Sequence, residues 1–516
     1  MTAAAQGLSH GPTEGPHPEQ AGVAAMPPEG KAALRAGVVG NWIDNIHVFL
    51  PVTALAPAML VLAGPAATAS TGALIIVAML FGRPVGGIVF GRISDRLGRT
   101  RTTRIAIAGT AICALAIAAM PTHELLGAGT VALILALRFL GGIFVAGEYS
   151  AAIPLAMEWS TGRKRGLMSG LILSMAPWAQ ATIAFSVAGL LALIGPEQYA
   201  LWGWRLLFVI GAALSLGMFV YYRRQVTDAP VFHRRARERA QEVVEAETPA
   251  PHPGTGAAAR PGAVPGARPA EPAGNRAGER PASGLGSLLT GRWAKAFWQV
   301  FLLMTGLWLL TYSTVLLLTE RLTTDSALDP AAVPVVIGLA SVAQAVVMAV
   351  AGHLSTFTGR RRLFMLWGLV AAVAGPVVWW LALTASTLML AAVFAAVLQV
   401  ITVSAYGPVA AYLSERFPTE IRSTGYGMGY SLSLVVPALY PFYLPLIEPL
   451  LGRHGSVMVL VGLGGLLLAL GAALGPRLAP RDLDGDLDQI AAAGRPLGTV
   501  ATSRSAADGD SGEGNT

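Results

Sequence analysis

The stretch GRISDRLGRTR, Gly91 to Arg101, is echoed by GHLSTFTGRRR, Gly352 to Arg362, at an offset of 261 residues. The two share Gly91/Gly352, Ser94/Ser355, Gly98/Gly359, Arg99/Arg360 and Arg101/Arg362. A second echo pairs EWSTGRKR, Glu158 to Arg165, with ERFPTEIR, Glu415 to Arg422, at an offset of 257. In both, a glutamate stands seven residues before an arginine. Two matches at nearly one offset argue that the chain is a duplicated unit, two halves built on one plan. They also differ: Thr356 and Phe357 stand where the first half has Asp95 and Arg96.

What surrounds these loops is apolar. Hydrophobic residues make up 54% of the chain and charged residues 13%, against roughly 25% charged in a soluble globular protein. A membrane-crossing helix needs about 20 mostly apolar residues. Twelve segments qualify, six in each half. The first six cover 36–62, 70–91, 103–121, 126–157, 166–194 and 203–222. The second six cover 297–319, 331–353, 362–384, 387–413, 423–449 and 455–475. Residues 1–34 read as a disordered polar tail, 35–222 as one six-helix bundle, 223–295 as a linker, 296–476 as the second bundle and 477–516 as a second disordered tail. The linker's Pro-, Ala- and Gly-rich middle lacks the apolar content for a core, so it is expected to be disordered. The charged run VFHRRARERAQEVVEAE before it suits a surface helix.

The basic residues cluster in alternate short loops. Arg92, Arg96, Arg99, Arg101 and Arg104 follow the second segment, and Arg163, Lys164 and Arg165 the fourth. Arg360, Arg361 and Arg362 follow the eighth, and Arg416 and Arg422 the tenth. The other side has Arg321 and Arg453. By the positive-inside rule the basic loops and both termini face the cytoplasm, in a cell inner (plasma) membrane. The net charge of +7 is therefore a topology signal and not a nucleic-acid footprint.

Enzyme chemistry has no foothold. The sequence lacks a G-x-x-x-x-G-K-[ST] phosphate loop, a G-x-S-x-G nucleophile elbow and any His/Cys cluster with metal spacing. No cofactor or metal is expected. The single cysteine, Cys113, lies in an apolar run and reads as a small buried hydrophobe.

GRISDRLGRTR resembles the signature loop G-x-x-x-D-R-x-G-R-[RK] of the major facilitator superfamily. FGRPVGGIVFGRISDRLGR, RFLGGIFVAGEYSAAIPLAMEWSTGRKRG and WGWRLLFVIGAALSLGMFVYYRRQVTDAPVF resemble its metabolite:H+ symporter branch. That branch has Arg-Pro in helix 2, Gly-Glu-Tyr late in helix 4 and Gly-Trp-Arg opening helix 6. The resemblance implies an all-α membrane protein with twelve transmembrane helices in two pseudo-symmetric six-helix bundles. It also implies carriage of organic acids or compatible solutes. The first helix, GNWIDNIHVFLP, departs from the glutamate- and tyrosine-rich version usual in the branch.

Charges inside a membrane are costly, and each needs an account. Asp44 lies about 9 residues into the first segment, roughly 13 Å deep, and His47 follows on nearly the same face. A carboxylate with an imidazole can hold and pass a proton. Arg138 resembles the superfamily's intramembrane R-x-x-x-G arginine. It either binds a substrate carboxylate or compensates Asp44. Glu148, roughly 15 Å nearer the cytoplasm than Arg138, suits an inner gate with Arg83 or Arg99 as partner. Asp95, Arg96 and Arg99 suit a latch that, in the family, contacts the opposite half. Trp308, Tyr312, Gln344, Gln399 and Tyr406 are the second half's candidates for a substrate site.

The expected function is proton-coupled symport of a small polar metabolite, organic acids included, by rocking of the halves in a lipid bilayer. A monomer is expected to suffice. One rival is a proton-coupled antiporter exporting drugs or secondary metabolites; another is a non-transporting receptor on the same fold.

Overall fold

The computed structural model describes residues 26–64, 69–230, 285–329 and 332–494, with isolated positions 234, 237 and 241. The described chain is helical. The first half consists of α1 (Pro28–Ala54), α2 (Ala69–Leu97), α3 (Arg99–Ala118), α4 (Gly129–Trp159), α5 (Gly162–Gln198) and α6 (Trp204–Gln225). The second consists of α7 (Ala294–Thr324), α8 (Val333–Thr358), α9 (Arg360–Leu383) and α10 (Leu388–Arg416). It is completed by α11, a helix pair Arg422–Ala438 and Tyr440–Leu451 bent by 44°, and α12 (Arg453–Ala473).

The stretch Gly162–Gln225 is helical almost throughout and runs for 64 residues. At 1.5 Å per residue that is far longer than one crossing of a bilayer core about 30 Å thick. The chain turns at Gly195, whose φ of 76° lies in the left-handed region, and Pro196 follows. Only glycine adopts that backbone without strain. Counted on either side of this turn, the helices make the twelve expected crossings.

Several helices overrun the apolar segments, because helix continues into the polar ends. α1 starts at Pro28, where proline suits the first helical turn, so residues 28–34 are helix and not tail. The expected tail after 476 is likewise corrected. Pro480–Asp484 form a 3₁₀ turn and Leu487–Ala493 a short helix, α13. Asp486 caps α13 by accepting from Asp488 N. Leu487, Ile490 and Ala491 share one face and are buried. In the linker, Leu285–Leu289 is helical and Trp293 is buried. Residues 1–25, most of 231–284 and 495–516 lie outside the described residues, and with them most of the expected surface helix and the disordered segments.

The outer surface is apolar. Leu193 and Leu450 are 82% exposed, which suits contact with lipid chains and not with water. The halves meet through α5 against α8 and α2 against α11. Small residues permit this closeness. A Cβ on Gly352 would lie 2.5 Å from Gly170 Cα, and one on Gly87 would lie 2.8 Å from Gly427 O. All four glycines lie toward the end of the bundle that carries the basic loops, called here the arginine-rich end.

Candidate functional site

At the arginine-rich end the two repeated motifs interlock. In the first half, Arg99 pairs with Glu158 at 3.0 Å; in the second, Arg360 pairs with Glu415 at 2.9 Å. Each glutamate also faces the opposite half. Arg422 reaches Glu158 at 2.8 Å, and Arg165 lies 3.8 Å from Glu415. The repeats therefore build a pseudo-symmetric lattice of buried ion pairs across the interface. Asp95 breaks the symmetry. It bonds Arg99 at 2.9 Å and accepts from Ser423 N at 3.0 Å and Thr424 N at 2.9 Å. A carboxylate on the N-terminal amides of α11 is well placed electrostatically. The matching position of the second half holds Thr356, which has no charge to repeat the contact. Arg96 is exposed and stands outside this network. α13 adds a strap: Asp488 accepts from Arg422 Nη2 at 2.7 Å and from Thr419 N at 2.7 Å.

Above this closed end, a cavity with about 920 Å³ of empty space lies between the halves. Arg83, Arg138, Tyr149 and Asn45 line it from the first half. Trp308, Tyr312, Gln344, Tyr406 and Tyr430 line it from the second. Local irregularity supplies two of these rings: a π turn covers Tyr312–Leu317 in α7, and a 3₁₀ turn covers Val403–Tyr406 in α10. Trp308 is the hub. Its ring centroid lies 5.1 Å from that of Tyr430 and 5.6 Å from that of Tyr406, and its Nε1 donates to Tyr430 O at 2.9 Å. Gln399 is fully buried but does not line the cavity.

Behind the cavity wall sit the buried acids. Asn45 Nδ2 donates to Tyr149 OH at 2.8 Å, forming part of the wall. The preceding residues, Asp44 and Glu148, are buried beside each other. They are 5% and 3% exposed. Thr110 Oγ1 donates to Glu148 Oε1 at 3.2 Å. Glu148 thus accepts from Thr110 and lies beside Asp44, and it forms no ion pair with Arg83 or Arg99, its expected gate partners. Two carboxyl groups buried side by side disfavour being ionised together, so such a pair favours holding one proton between them.

His47 turns away from Asp44, with Nε2 2.7 Å from Ser215 Oγ in α6. Arg138 forms no ion pair with Asp44. Its Nη1 donates to His47 O at 3.2 Å, and its Nη2 reaches Val48 O at 3.4 Å and Met79 Sδ at 2.9 Å. Arg138 also lines a smaller void, about 300 Å³ of empty space, shared with His47, Thr110 and Cys113. Sequence reasoning singled out neither Asn45 nor Tyr430 as lining residues. Nothing in a lone asparagine or a tyrosine of YGMGYS marks it as such, although Tyr149 stood in the Gly-Glu-Tyr motif.

Among the described residues no cluster of three or more His, Cys, Asp or Glu suits a metal ion.

Comparison with known proteins agrees with this architecture. The Inner membrane metabolite transport protein YhjE of Escherichia coli is 26% identical over 463 residues, covering 84% of this chain and 92% of that protein. A Putative proline/betaine transporter of Staphylococcus haemolyticus is 35% identical over 177 residues, 34% of this chain and 37% of that protein. The match thus spans little more than a third of that transporter's length. Among solved structures, the proton:xylose symporter XylE bound to 6-bromo-6-deoxy-D-glucose superposes with a TM-score of 0.67 at 16% identity. That superposition covers 90% of this chain and 99% of XylE, and it speaks for the fold. A profile of the Major Facilitator Superfamily matches residues 46–441. The chain, a multi-pass membrane protein and not an enzyme, therefore belongs to the major facilitator superfamily of transporters.

Proposed function

We propose that the chain is a proton-coupled symporter of a small polar metabolite bearing a carboxylate, working by alternating access. The observation that carries this reading is the Asp44–Glu148 carboxyl pair, buried in the first half one residue behind the cavity wall. A pair that shares a proton beside a binding cavity can gain and lose it as access alternates. Among the described residues the cavity lining contains two arginines and no carboxylate, which favours an anionic group on the substrate. Carrying a proton with each anion offsets the cost of moving negative charge into a negative interior.

The relatives support the same reading, being named for metabolite, proline/betaine and proton:xylose transport. The arginine-rich end is the cytoplasmic face by the positive-inside rule, which also puts both termini inside the plasma membrane. On this reading the interlocked loops hold the inward side shut, and the cavity takes substrate from outside. One chain supplies the complete cavity, so a monomer suffices.

The test is uptake into proteoliposomes under an imposed pH gradient. Symport gives accumulation when the outside is acidic and none when the gradient is reversed. Accumulation only with an acidic lumen identifies a proton antiporter and overturns the proposal.

A further inference from the structure

Two arginines face the cavity, but they are not equivalent. Arg138 is already held: two carbonyls of α1 and the Met79 sulfur take its Nη1 and Nη2. Arg83 is not. It is 2% exposed, and among the described residues its Nε and Nη2 have no hydrogen-bond partner. Among the described residues it forms no ion pair. It packs among aromatic rings, and Asp44, behind the cavity wall, is close enough to feel its charge. The guanidinium carbon lies 4.9 Å from the ring centroid of Tyr149, 5.5 Å from that of Trp308 and 5.6 Å from that of Tyr430.

Ring faces attract a cation but accept no N–H bonds in its plane. A stacked guanidinium therefore keeps its edge free, and that edge is the fork that matches a carboxylate. Among the described residues the cavity lining offers no carboxylate of its own. The rings also come from both halves: Tyr149 from the first, Trp308 and Tyr430 from the second. Pro84, directly after Arg83, interrupts the helical hydrogen bonding of α2 at this level.

We propose that Arg83, and not Arg138, is the residue that binds the substrate's carboxylate, and that Arg138 is a positioning residue that ties α4 to α1. This deepens the transport reading and rests on it for the word substrate. An anion on Arg83 sits against rings of both halves, so its binding is felt by the two bodies that must move.

The experiment uses the purified full chain in detergent, without a proton gradient, so failure of symport in vesicles leaves it intact. Thermal stability is recorded with succinate, benzoate or glycine betaine, and with the uncharged xylose as a control. At least one carboxylate is expected to raise the melting temperature of the wild type. Arg83→Gln weakens that binding about tenfold or more, and Arg83→Lys restores part of it. The ligand-free melting temperature of Arg83→Gln is expected to be unchanged or higher, because an unpaired buried charge has been removed. A purely structural cation–π role predicts a lower one. Carboxylates that stabilise Arg83→Gln as well as wild type overturn the proposal. So does a wild type that none of the three carboxylates stabilises, and so does a marked fall in the ligand-free melting temperature of Arg83→Gln.

Discussion

Arg422 of the second half and Glu158 of the first form an ion pair 2.8 Å long with neither side chain exposed. Glu158 also holds Arg99 at 3.0 Å. One carboxylate thus bridges two buried cations across the interface between the halves, and each cation has a second acid, Asp95 for Arg99 and Asp488 for Arg422. Removing it leaves buried charge without a full complement of partners, which costs about 3 kcal/mol. That cost falls on the state in which the arginine-rich end is closed. Glu158→Ala is therefore expected to open that end. The readout is maleimide labelling of a cysteine placed at Ser94, which is fully buried beside Ser423, in a Cys113→Ser background. Labelling should be several-fold faster in the variant; an unchanged rate contradicts the assignment.

The strap formed by α13 acts on the same pair. Asp488 bonds Arg422 and Thr419, while Arg165 of the first half donates to Leu483 O at 3.3 Å and Gly485 O at 3.4 Å. The segment therefore touches both bodies. Ending the chain after Ala479 is expected to speed Ser94 labelling in the same direction as Glu158→Ala, and Asp488→Ala to do so more weakly. Equal labelling of the shortened and full chains rules out a clamping role.

At the opposite end, Asp325 links α7 to α12. Arg453 Nε donates to it at 2.8 Å, and this bond, with help from Arg321, holds its carboxyl down from the ordinary 3.8 to about 2. A lowered value in the folded state means stability that is present above the unfolded value and lost as pH falls through about 2. Arg453 is half exposed, so screening keeps the contribution below about 1 kcal/mol. Asp325→Asn should flatten the fall in stability between roughly pH 4 and pH 2 without a large change at neutral pH. Thermal melting across that range measures it.

Much of this was legible in the sequence. Twelve apolar runs gave twelve helices, and the two loop echoes revealed the halves. The latch around Asp95 and Arg99 was also readable, although its partners Glu158 and Arg422 were visible only as members of the second echo. Their side chains meet through folding, at separations no spacing rule covers. The assignment of Glu148 failed for a definite reason. Its expected level was set by its ten-residue distance from Arg138 along one helix, which says nothing of the neighbour that α1 brings to it, and that neighbour is Asp44. Arg83 was expected as a partner for Glu148; the rings it meets, Tyr149, Trp308 and Tyr430, are assembled from three helices. The ordered piece of the C-terminal tail was missed because four acidic residues in DLDGDLDQ mask a short amphipathic face.

The central claim is that the Asp44–Glu148 pair carries the coupled proton. Its most direct measurement compares wild type and Asp44→Asn in proteoliposomes, using a carboxylate that stabilises the purified protein. The account predicts that Asp44→Asn abolishes accumulation driven by an inward proton gradient while retaining gradient-independent exchange of the same compound. Accumulation by Asp44→Asn at the wild-type level would contradict it.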